Sequence, residues 1–62
     1  MYNRIKKIAQ EKGKTLQQVE KEAMIGQGLI SKWKRSPRPN ITKLEAVAKV
    51  LGVTVVDLLK ED

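Results

Sequence analysis

Thr15-Leu16-Gln17-Gln18-Val19-Glu20-Lys21-Glu22-Ala23-Met24-Ile25-Gly26-Gln27-Gly28-Leu29-Ile30-Ser31-Lys32-Trp33 is the stretch that decides how this chain folds. Thr15 is a good helix N-cap, and Gln18 three residues on makes a weak capping box. Leu16, Val19 and Ala23 then recur at helical spacing. The pattern breaks at Met24-Ile25-Gly26. Gly26 reads as the cap of a further helix running from about Gln27 to Lys34, whose apolar residues are Leu29, Ile30 and Trp33. Two helices of about eight residues, joined by a turn of about three, make a helix-turn-helix. Val19, Ile25, Ile30 and Trp33 are placed to lock the pair at a steep angle. The second helix then turns a polar face outward, made of Gln27, Gly28, Ser31 and Lys32.

The flanking sequence is helical as well. A first helix is expected from about Tyr2 to Lys12, with Ile5, Ile8 and Ala9 on one face, Asn3 as N-cap and Gly13 as its stop. Ser36-Pro37-Arg38-Pro39 is a loop, because two prolines one residue apart forbid a continuing helix. Asn40 caps a fourth helix with the inner face Ile41, Leu44, Val47, Ala48 and Leu51, ended by Gly52. Thr54 and Asp57 form a capping box for a short fifth helix carrying Val55, Leu58 and Leu59. The β-branched run from Val53 to Val56 is too short for a strand and contains a capping signal. The expectation is an all-α, compact five-helix domain over residues 1–62, with the helix-turn-helix at about 15–34.

A chain of 62 residues forms one small domain. It has neither cysteine nor histidine. That removes disulfides, thiolate metal sites, the commonest general base and the commonest zinc ligand. Only Ser31 and Ser36 remain as serines, so an enzyme is not expected. Glu45, Asp57, Glu61 and Asp62 lack metal-loop spacing, and no metal or other cofactor is implied. No apolar run of about 18 residues and no leader pattern are visible, so the expected setting is the cytoplasm.

Charge is the informative quantity. Thirteen basic and seven acidic residues give a net +6. Residues 1–40 carry ten basic and three acidic side chains, whereas residues 41–62 carry three and four. One part of the molecule is built for a polyanion, and the other is nearly neutral. A merely solvated surface is the bland alternative. RNA is disfavoured, because Tyr2 and Trp33 are the only aromatics and single-strand readers stack bases on several. A helix, by contrast, fits the major groove of duplex DNA, where base edges are distinguishable.

The sequence resembles the Xre-type helix-turn-helix family of phage repressors and Cro proteins, with its lambda-repressor-like fold. The resemblance is carried by Arg4-Ile5-Lys6-Lys7, Thr15-Leu16-Gln17-Gln18-Val19, Ile30-Ser31-Lys32-Trp33-Lys34, Leu44-Glu45-Ala46-Val47-Ala48-Lys49-Val50-Leu51-Gly52-Val53 and Asp57-Leu58-Leu59. Three positions depart from the family pattern. Glu20 stands where a small alanine is usual, and Met24 where the turn usually has glycine. A left-handed conformation there would cost Met24 about 1 kcal/mol. Ala9 and Gln18 stand where the family often pairs an arginine with an acid.

The resemblance implies roles. Gln27 would bond adenine N6 and N7, Gly28 would permit close approach, and Ser31 and Lys32 would lie one turn further along the groove. Lys32 would reach guanine O6 and N7, or a phosphate. Gln17 would bond a phosphate with help from its helix N-terminus. Lys34, Arg35, Arg38 and Asn40 would make further phosphate contacts, with Asn40 also an N-cap. Trp33 is read as core, and Leu29 either touches a thymine methyl or shields the core.

One such domain gains specificity by dimerising on two half-sites. Val55, Val56, Leu58 and Leu59 cannot all face inward on so short a helix, and Val56 is the foremost candidate for exposure. Val55, Val56 and Leu59 therefore form the candidate interface of a weak homodimer that DNA strengthens. The resulting expectation is a sequence-specific DNA-binding regulator that represses by occupying a palindromic operator. The rival reading is an adaptor that binds a regulatory protein and does not bind DNA specifically.

Overall fold

A computed structural model describes residues 1–35 and 40–60. Five helices follow one another in these residues: α1 (Tyr2–Glu11), α2 (Leu16–Glu22), α3 (Leu29–Lys32), α4 (Ile41–Leu51) and α5 (Val55–Leu59). Among the described residues there is no strand. α2 packs against α1, α3 and α4, and α5 closes the other side against α1 and α4.

The apolar positions read from periodicity form one core. Ile5, Ile8 and Ala9 of α1, Val19 of α2, Ile30 of α3, Leu44, Val47, Ala48 and Leu51 of α4 and Leu58 of α5 are buried together with Trp33. Leu16, Ala23, Ile25, Leu29 and Val55 pack against this cluster while half-buried. Ile41 departs from the expected inner face of the fourth helix and is 54% exposed. It occupies the first turn, at the margin of the packed surface, one turn ahead of Leu44.

Helix ends follow the capping residues. Thr15 Oγ1 accepts from Gln18 N–H at 3.1 Å, satisfying one of the donors a helix start leaves unpaired. Asn40 Oδ1 accepts from Thr42 N–H at 2.9 Å and from Lys43 N–H at 3.3 Å. Thr54 and Asp57 form the full reciprocal box. At α1 the cap is Met1 rather than Asn3, and no side chain bonds there. α4 ends where Gly52 turns left-handed at φ 72°, which lets Val53 N–H reach back to Ala48 O at 2.9 Å. Arg4 Nε donates to the carbonyl of Asp57 at 3.3 Å and ties α1 to α5.

The third helix is shorter than expected. It covers Leu29–Lys32, with Gly28 as its cap, rather than starting after Gly26. Gly28 adopts φ 82°, a left-handed conformation that interrupts a right-handed helical path and that glycine tolerates. Leu29 N–H closes a turn on Gly26 O at 3.2 Å, so Gln27 and Gly28 belong to that turn. Beyond Lys32 the chain tightens. Lys34 N–H bonds Ser31 O at 3.2 Å and Arg35 N–H bonds Lys32 O at 3.0 Å, both three residues back.

Candidate nucleic-acid interface

The turn between α2 and α3 is built on a strained residue. Met24 adopts φ 59°, the conformation in which the resemblance expects glycine, and its side chain is 91% exposed. Met24 N–H bonds Lys21 O at 3.2 Å, and Ile25 N–H reaches Glu20 O at 3.0 Å. These bonds reverse the chain and deliver Ile25 onto the core.

Glu20 is the residue that reading the sequence failed to place. Its side chain is 2% exposed, in a position where the resemblance expects alanine. Oε1 accepts from Gly28 N–H at 3.1 Å, and Oε2 accepts from Ile30 N–H at 3.0 Å. The carboxylate therefore caps α3 from across the turn. A signal existed: a glycine-containing turn leaves backbone N–H groups that must find acceptors, and Glu20 follows Val19 on the inward side of α2. Among the described residues no buried side-chain polar atom lacks a partner.

Gln27, Gly28, Ser31 and Lys32 are all exposed. Gly28, Ser31 and Lys32 share a face by their three- and four-residue spacing, and Arg35 continues it one turn later. Gln27 and Gly28 stand in the turn ahead of α3, not on the helix where they were expected. Ile30 and Trp33 point to the core, as their spacing predicts. Leu29 is half-buried against that core.

The expected phosphate-contacting residues occupy two other edges. Gln17 is exposed in the first turn of α2. Lys34 and Arg35 are exposed just past α3. Lys34 Nζ sits over the Tyr2 ring, 5.7 Å from its centroid, which draws it toward α1. Asn40 is exposed, with its Oδ1 committed to capping α4. Arg38 lies outside the described residues. Met1, Tyr2, Asn3, Trp33, Lys34, Arg35 and Leu59 together line a shallow hollow. On α5, Val55 packs inward, so its exposed apolar surface is Val56, at 65%, and Leu59, at 50%.

The sequence from the end of α2 into α4 carries charge of one sign. Between Glu22 and Glu45 the sequence has no acidic residue and five basic ones: Lys32, Lys34, Arg35, Arg38 and Lys43. Glu20, the acid that reaches into this region, is buried beneath it. Glu22 is held by Lys14 at 2.6 Å.

No curated protein and no solved structure matches the chain. A family model described as helix-turn-helix matches residues 5–58, nearly the whole of it. That span takes in the α2–turn–α3 unit, its Glu20 clamp and the basic surface beside it. The chain belongs to the Xre-like helix-turn-helix family, whose domains are DNA-binding regulators.

Proposed function

We propose that this protein binds a palindromic operator in duplex DNA through the major groove and represses transcription by occupying it. The observation that carries this reading is the exposed set Gln27, Gly28, Ser31 and Lys32, the first two in the turn that opens α3 and the last two on α3 itself, while Ile30 and Trp33 are buried in the core. A glutamine amide and a lysine ammonium are groups that read base edges. Lys34, Arg35, Arg38, Gln17 and Asn40 supply the phosphate contacts in this reading, which set affinity and register without reading sequence.

The domain binds as a homodimer joined through Val56 and Leu59 of α5, with Val55 behind them. Each copy then reads one half-site, about 34 Å from the other along the duplex. The dimer is weak in solution and is strengthened by the operator. No helix of the described residues is long and apolar enough to cross a membrane. The protein acts in the cytoplasm and is nucleoid-associated while bound.

The test is a titration of labelled random-sequence duplex at two salt concentrations, followed by enrichment of bound sequences. The expected result is a log–log salt slope of about −0.9 per phosphate contacted, and a palindromic motif. Gln27→Ala should relax the motif at one position, whereas Arg35→Ala should weaken all sequences alike. Absence of DNA binding at low salt would overturn the reading and leave a protein-docking surface. Strict monomers both free and on a two-half-site operator would overturn the dimer.

A further inference from the structure

We infer that Glu20 is a positioning residue, holding the α3 opening turn in the geometry from which Gln27 and Ser31 meet the groove. The inference rests on the DNA-binding reading above. Gln27 stands between Gly26 and Gly28. A residue flanked by two glycines has a backbone free to sample many directions, which is a poor mount for a base-reading side chain. Glu20 removes that freedom. Its two oxygens hold the N–H groups of Gly28 and Ile30, so the chain is fixed immediately after Gln27 and again two residues later. Hydrogen bonds to an ionised acceptor are stronger than neutral ones, which suits a restraint on so short a helix.

The clamp also decides what this helix can offer DNA. The Gly28 and Ile30 donors at the start of α3 are turned onto a buried carboxylate. A DNA phosphate therefore finds those donors occupied and a negative charge behind them. The α3 segment is left to read bases through its side chains. Phosphate anchoring passes to Gln17, Lys34, Arg35 and Asn40.

The test uses Glu20→Gln, which keeps the shape of the side chain. Its amide offers one acceptor and sets an NH2 group against the other backbone N–H, donor against donor. Ile8→Val in the α1 core serves as the control for lost stability alone. In Glu20→Gln, exchange of the Gly28 and Ile30 amides should quicken about tenfold beyond what the fall in global stability explains. Its ratio of affinities for selected over random duplex should fall about tenfold, while affinity for random duplex is kept. Ile8→Val should leave both quantities where they were.

Equal exchange in the two variants, or an unchanged affinity ratio in Glu20→Gln, would overturn the inference. A wild-type protein with no preference among duplexes would overturn the DNA reading itself. The exchange measurement would then still decide whether the clamp exists.

Discussion

α3 and α5 are four and five residues long, and each has one fully buried side chain, Ile30 or Leu58. Neither is stable by itself, since isolated helices below about 12 residues are marginal in water. Each is held at its start by a carboxylate, but from different places. Asp57 belongs to α5 and caps its own helix through Thr54. Glu20 belongs to α2 and reaches α3 across the turn, eight and ten residues along the chain. A local cap stabilises a helix wherever the chain goes. A distant cap fixes where one helix stands relative to another, and that is the property the proposed base reading by α3 requires.

The largest effect should come from removing what the two helices share. Ile30→Ala and Leu58→Ala should each cost about 3 kcal/mol, measured by urea unfolding, because each empties a fully buried site. Near-equal values would show that α3 and α5 draw equally on the core and differ only in their caps.

A smaller loss is expected for Thr54→Ala, about 1 kcal/mol. Its hydrogen-exchange signature should be confined to the α5 amides and leave those of Gly28 and Ile30 unmoved. Spread into α3 would break the distinction between a local and a distant cap.

Met24→Gly should work in the other direction. A left-handed conformation costs an ordinary residue about 1 kcal/mol or more, and glycine adopts it freely, at some cost in unfolded-state entropy. The net gain should be about 0.5 kcal/mol, read as a higher Tm. A loss of stability would mean that the exposed Met24 side chain contributes more than its backbone costs.

The smallest effect is one of pH. The Thr54 backbone N–H, aided by the Thr54 hydroxyl and by Lys60, holds the Asp57 carboxyl below its ordinary 3.8. A carboxyl lowered in the folded state stabilises fully above the unfolded value, and that contribution is lost as pH falls through the folded one. The difference in Tm between wild type and Asp57→Asn should therefore be constant near neutrality and shrink only below about pH 4.

What was legible in the sequence follows the same division. Thr15, Asn40, Thr54 and Gly52 mark helix ends because their bonds close within a few residues, and all four stand where their chemistry puts them. The core was legible because helical spacing dictates which side chains share a face, and Ile41, at a helix start, was its exception. The beginning of α3 was not legible. Gly26 offers a plausible cap, but the cap used is Gly28, stabilised by Glu20 from a different helix. A buried acid reads in sequence like any surface glutamate until its partners are known. The outward placement of Ser31 and Lys32 was legible from periodicity, whereas Gln27, expected on the helix, stands in the turn before it, and the roles of all three toward bases came only by resemblance.

The hollow bounded by Met1, Tyr2, Lys34, Arg35 and Leu59 brings the beginning of α1 and the end of α5 to the same rim as two of the basic side chains. A purification handle or fluorophore attached at residue 1 would sit at this basic rim and crowd a polyanion approaching it. A reporter placed at exposed Gln10 or Lys12, toward the far end of α1, would leave the rim clear.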